Sequence, residues 1–187
     1  YTTLFRSGEE GAIEVFKANL SALLMQAPIK GKVVLGYDPG FRTGCKIAVL
    51  DDTGKLLDTA TVYATAPQND VEGSIKILKE LVYKHNVDVV SLGNGTASRE
   101  SEEVLARLID EVKKETGKDL FYVVVSEAGA SVYSASELAS KEYPDINVSI
   151  RGAISIGRRL QDPMAELVKI DPKSIDRKST RLNSSHR

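Results

Sequence analysis

The sequence predicts an α/β fold: a mixed five-stranded sheet with helices on both faces. Three observations lead there. Residues 33–63 hold three short apolar runs separated by Pro-Gly and Asp-Asp-Thr-Gly turn signals, which read as consecutive strands. From residue 71 onward, stretches of helical spacing alternate with short β-branched and aromatic runs, as in crossover-connected parallel strands. The chain has 187 residues, 42% hydrophobic and 27% charged, enough to bury a core without disulfides or a structural metal.

Each element has its own warrant. Residues 11–27 carry Ile13, Val15, Phe16, Leu20, Leu23 and Leu24 at roughly helical spacing, and Pro28 stops the helix. Residues 33–38 are a continuous apolar run ending in Asp38 before Pro39-Gly40, the pattern of a strand buried on both faces. Residues 46–50 and 56–63 supply the second and third strands of an antiparallel meander. A helix follows over residues 71–85, then a strand over 87–92. The next helix opens at Thr96 or Ser98, either of which can cap it, with Glu100, Glu102 and Glu103 in its first turn. Gly117 ends it, and residues 120–125 form the fifth strand. A helix over residues 130–141 comes next, with Ser134-Ala-Ser-Glu137 as a capping box. A last helix over 150–160 and one helical turn after Pro163 complete the chain. The order β-β-β-α-β-α-β-α is the ribonuclease-H-like arrangement.

Both ends read as foreign to the fold. The head Tyr1-Thr-Thr-Leu-Phe-Arg-Ser7 and the tail, residues 176–187, match in-frame translations of common sequencing-adapter oligonucleotides, and are expected to pack against nothing. Setting aside Arg6, Arg177, Lys178, Arg181 and Arg187 against Asp176 turns the formal net charge of −1 into −5, with 20 basic and 25 acidic residues. Binding nucleic acid by overall charge is therefore excluded. No apolar run reaches the ~18 residues of a membrane span, which argues against a membrane partner. A single cysteine, Cys45, excludes a disulfide framework or a multi-thiolate zinc site. With Cys45 and His85 alone in the core segment, histidine-based nucleophilic catalysis has little to work with.

In open α/β sheets the working groups gather beyond the carboxyl ends of the strands. Three candidates fall there: Asp38 after the first strand, Asn94 in Gly93-Asn-Gly-Thr96 after the fourth, and Glu127 after the fifth. If those strands are neighbours, their side chains converge on one rim. Magnesium or manganese would take Asp38 and Glu127 as ligands, but two-metal phosphodiester cleavage generally uses more carboxylates. The bland alternatives are an Asx-type turn at Asp38, a solvent-facing Glu127, and a turn or phosphate nest at Asn94 and Thr96. Arg42, Arg151, Arg158 and Arg159 can form a local cationic strip for phosphates, or simply pair with carboxylates.

Four motifs then carry a resemblance: Gly36-Tyr-Asp-Pro-Gly-Phe-Arg-Thr-Gly44, Gly93-Asn-Gly-Thr-Ala-Ser-Arg-Glu100, Ser126-Glu-Ala-Gly-Ala-Ser-Val-Tyr-Ser-Ala-Ser136 and Arg158-Arg-Leu-Gln-Asp-Pro163. In order and spacing they resemble the YqgF-type, ribonuclease-H-like domain of the Tex family of bacterial transcription accessory proteins. The resemblance implies a multidomain cytoplasmic RNA- or DNA-binding protein linked to the transcription machinery, with helix-hairpin-helix and OB-fold modules following this domain. Residues 8–31 would then belong to a preceding helical region, 32–162 to the sheet domain and 163–175 to the region that follows. It also implies that Asp38 matches the first-strand acid of resolvase-like nucleases, and Glu127 the acid after the fifth strand. RuvC-like nucleases add an aspartate at the start of the final helix, where this sequence has Arg151-Gly152. Asp162, about three turns further on, is a poor substitute. The expectation is a nucleic-acid-contacting scaffold that requires no cofactor, with a magnesium- or manganese-dependent nuclease as the alternative. An actin-like ATPase ranks last, because such enzymes need two duplicated halves.

Overall fold

The computed structural model describes residues 2–175. β1 (Val34–Asp38), β2 (Cys45–Leu50) and β3 (Leu56–Val62) form the antiparallel meander. α2 (Val71–His85) crosses to β4 (Val89–Gly93), parallel to β1, and α3 (Ser98–Thr116) crosses to β5 (Phe121–Val125), parallel to β4. Across the sheet the order is β3-β2-β1-β4-β5. This is the ribonuclease-H-like topology that the element order predicts, and it places β4 between β1 and β5. Among the described residues no helix is long and apolar enough to cross a membrane.

Four local expectations are corrected. The first helix, α1, spans Thr2–Leu24: it starts upstream of residue 11, since Gly8 and Gly11 weaken a helix without breaking it, and stops short of Pro28, whose ring disfavours helix in the residue before it. At the start of α3 the cap position is held by Ala97, in the left-handed region with φ 66°, and no side chain caps it. Neither Thr96 nor Ser98 does so, because the Gly95-Thr96-Ala97 turn curls tightly enough for Ser98 N to donate to Gly95 O at 3.2 Å. The expected helix over 130–141 is two, α4 (Ala130–Ser134) and α5 (Glu137–Glu142). Ser136 is extended and accepts from Ala139 N at 3.1 Å, so Ser136 caps α5, while Ser134 Oγ donates to Ser131 O. The tail, residues 176–187, lies outside the described residues, as do the head's side chains, and with them the reading of both ends as unpacked.

The two remaining helices are α6 (Val148–Gln161) and α7 (Pro163–Leu167). One face of the sheet receives α2 and α3: Leu35, Tyr37, Ile47, Val49, Val90 and Leu92 pack against Ile75, Leu78, Leu81, Leu105, Leu108 and Val112. The other receives α6, whose Ala153, Ile154, Ile156 and Leu160 meet Val34, Ala48, Leu50, Val89 and Val125. Because β1 is covered on both sides, its residues read as one apolar run and not as an alternation. The approach of α6 is close. A Cβ on Gly36 would stand 2.2 Å from Ala153 O, and one on Gly157 2.7 Å from Leu50 Cδ1. At Gly36, where the neighbour is backbone, only glycine fits. Ser91 Oγ seals the contact by donating to Ile156 O at 2.7 Å. Among the described residues α1 docks by its last turns: Leu20, Leu23 and Leu24 join Tyr133, Leu167 and Ile170, while Ile13 and Val15 are exposed.

Candidate functional site

The parallel run β1-β4-β5 ends on one rim, and that rim bounds a cleft of about 450 Å³ lined by both Asp38 and Glu127. Asp38 is the last residue of β1, on the face turned to α6, since Leu35 and Tyr37 take the opposite one. The turn after it is pinned by Gly40 O, which accepts from Thr65 Oγ1 at 2.7 Å and Cys45 Sγ at 3.5 Å. Glu127 lies in the loop between β5 and α4. Its N–H donates to Asn94 Oδ1 at 3.0 Å, while Asn94 N donates to Val125 O at 3.0 Å. Asn94 therefore ties the β4 and β5 loops together. The Glu127 carboxylate rests over the Gly93–Gly95 turn, where a Cβ on Gly95 would stand 2.0 Å from Oε1 and one on Gly93 2.9 Å from Oε2. Those glycines make room for the acid, a function that a turn reading of the motif misses.

The third wall of the cleft is the N-terminal part of α6, through Gly152. A Cβ on Gly152 would stand 2.8 Å from Asp38 Oδ2, so this is the place from which a further carboxylate would reach Asp38. Glycine occupies it. Among the described residues no group of three His, Cys, Asp or Glu side chains can hold a metal ion. The residues present thus do not fit the two-metal centre that phosphodiester hydrolysis uses. Asp162 does not repair the gap, which corrects its assignment to the catalytic set. It lies ten residues beyond Gly152, about 15 Å along a helix axis, where its Oδ1 accepts from Ala165 N and caps α7.

The arginine strip is corrected as well. Arg151 is 6% exposed, with Nε donating to Ile146 O and Nη1 to Ser134 O and Ser140 Oγ. Arg159 is 3% exposed, with Nη1 donating to Ser126 O at 2.8 Å and Ala128 O at 2.7 Å. Both are largely buried and act as internal ties to backbone carbonyls. They escape a surface reading because α6 is enclosed by the sheet, α4 and α7, and its arginines find backbone carbonyls at loop ends. Arg158 is half-buried in a separate groove, bonded to Gly54 O at 3.0 Å and lying 5.3 Å from the Tyr143 ring centre. Arg42 and Thr96 are exposed on the loops after β1 and β4. Lys46, Ser131, Asn147 and Ser149 also line the cleft; they come from β2, α4 and the start of α6, which meet there only in the folded chain. His85 Nε2 sits 2.9 Å from Asp58 Oδ2, which also accepts from Lys84. Those bonds hold the Asp58 carboxyl down to about 2.

The topology and the paired acids at the strand ends define a domain of the ribonuclease-H-like class. The sequence profile of the Tex protein YqgF-like domain matches residues 32–161. The chain belongs to that family. It is 59% identical over 172 residues to protein tex of Bordetella pertussis, covering 92% of this chain and 21% of that protein. It is 52% identical to the transcriptional accessory protein Tex of Neisseria gonorrhoeae, at 92% and 22% coverage. With the human S1 RNA-binding domain-containing protein 1 the identity is 43%, at 92% and 17% coverage. The chain therefore spans about a fifth of the length of the curated relatives it matches. Among solved structures, the Thermus thermophilus RuvC–Holliday junction complex superposes with a TM-score of 0.44 at 14% identity, over 73% of this chain and 95% of that one, too loose a likeness to carry an inference.

Proposed function

We propose that this domain is a nucleic-acid-contacting scaffold within a cytoplasmic, Tex-type transcription accessory protein, and that it lacks efficient hydrolysis. The observation that carries this reading is Gly152: the wall of the acidic cleft that faces Asp38 bears no side chain, which leaves two carboxylates where cleavage generally uses more. The relatives' names support the link to transcription and to RNA. The contact surface on this reading is formed by Arg42, Asn94 and Thr96, which are exposed on the loops after β1 and β4. Contacts of this kind fix the register of a phosphate backbone without reading its sequence. RNA or DNA is thus the partner of the rim. Neighbouring helix-hairpin-helix and OB-fold domains of the full-length protein, and the transcription machinery beyond them, are the partners of the remaining surface.

The test is binding of single-stranded RNA and of duplex DNA by the full-length parent protein, wild type against Arg42→Ala. The variant is expected to weaken binding of one of these and to lower its salt slope by about 1, the loss of one phosphate contact. Unchanged affinity and slope for both would overturn the contact assignment. One observation favours a metal-dependent nuclease as the second reading: Asp38 and Glu127 do share a cleft. Cleavage of a junction or of RNA in manganese, lost on Asp38→Asn, is its signature.

A further inference from the structure

The sheet brings opposite charges to opposite flanks of the cleft. Lys46 of β2 pairs with Asp38 across the antiparallel β1–β2 ladder. Residues directly opposite in such a pair share a face, with Cβ atoms about 5 Å apart, so Lys46 stands beside Asp38 on the side turned to α6, and both line the cleft. Glu127 occupies the other flank, over the Gly93–Gly95 turn after β4. In the strand order β2-β1-β4, β1 separates the two flanks. Lys46 is out of keeping with its strand: it is half-buried, while the other five residues of β2 are completely buried. Its ammonium donates to the Thr43 carbonyl, a neutral acceptor that leaves the charge uncancelled. Among the described residues lining the cleft it is the one cation, and Thr43 and Ser131 add exposed hydroxyl residues. Phosphate oxygens only accept hydrogen bonds, so an ammonium with hydroxyls nearby suits them.

We propose that Lys46 is the phosphodiester contact of the cleft, and that a nucleic-acid backbone lies along the β1–β2 flank, away from Glu127. One phosphate meets Lys46, held on the loop side by the Thr43 carbonyl, and a neighbouring one meets Arg42, exposed on that same loop. This rests on the reading of the domain as a nucleic-acid-contacting scaffold and says where on the cleft the backbone runs. The cation that α6 withholds by burying Arg151 and Arg159 is supplied from β2 instead.

Salt-dependent binding tests it, in the full 187-residue chain with labelled single-stranded RNA and with duplex DNA. Lys46→Met keeps the aliphatic stem and removes the charge. It is expected to weaken binding of whichever nucleic acid the chain takes up by about fivefold or more, and to lower the salt slope by about 1. Lys46→Arg is expected to restore both. Lys55→Met, exposed at the far end of β2 in the hairpin to β3, is expected to change neither. Wild-type affinity in Lys46→Met, or equal losses in the two methionine variants, would overturn the assignment. If Lys46→Met does not fold, the wild-type amide resonances decide on titration with the same RNA and DNA. Shifts at residues 43–46 without shifts at 53–55 support the proposal, and any other pattern overturns it. Binding that falls with Arg42→Ala but survives Lys46→Met would sink this contact and leave the scaffold reading standing, whereas a wild-type chain that binds neither nucleic acid would sink both.

Discussion

The two faces of the sheet are built by different rules. Against α2 and α3 the sheet uses ordinary aliphatic packing, Leu35, Ile47 and Leu92 meeting Leu78, Leu105 and Leu108. Against α6 it uses glycine: the helix backbone lies on Gly36, Gly157 approaches Gly36 in return, and two arginines on the same helix are buried and tied to loop carbonyls. The first face holds the domain together. The second brings the helix near enough for Gly152 to stand over Asp38, and so shapes the cleft. Stability and site geometry are thereby divided between opposite sides of one sheet.

A single carbon atom on each face exposes the difference. Gly36→Ala adds a methyl group against the Ala153 carbonyl, where no side chain can yield, and is expected to cost about 3 kcal/mol or more. Urea unfolding should register it as a large drop in midpoint; a change below 1 kcal/mol would mean that α6 slides freely on β1. Ile75→Val removes a methyl group from the face packed by α2 and is expected to cost about 1 kcal/mol in the same assay. A larger loss at Ile75 than at Gly36 would reverse the comparison.

The same division explains what the sequence made legible. Strand and helix order, the meander and the shared rim of Asp38, Asn94 and Glu127 all follow from hydrophobic periodicity and turn chemistry, which are local. Arg151 and Arg159 look like a solvent-facing strip because periodicity assigns charge to surface, and only the enclosure of α6 on several sides shows that they point inward. Gly152 is flagged by the resemblance alone: without it, a glycine in a helix means little until the residue opposite it is known. The cap of α3 resists reading for a related reason. Ala97 carries no capping side chain, and its left-handed backbone costs about 1 kcal/mol, which local propensity does not announce.

A smaller effect marks the edge of the first face, where Asp58 on β3 meets Lys84 and His85 of α2. Its carboxyl is held at about 2, first by the bond from Lys84 and then by that from His85. A carboxyl depressed in the folded state stabilises fully above its unfolded value and loses that contribution as pH falls through its folded value. Urea midpoints measured from pH 5 downward are therefore expected to lose a modest increment between about pH 4 and 2. Asp58→Asn should flatten that part of the profile; an identical acid limb in the variant would remove the assignment.

The cleft itself offers the most direct trial. Incubating this chain and its Asp38→Asn variant with end-labelled four-way junction and single-stranded RNA in millimolar manganese compares two carboxylates with one. Two acids facing a bare glycine predict no product above the variant's background on either substrate. Cleavage by the wild type that disappears with Asp38→Asn would contradict the scaffold account and make the site an enzyme's.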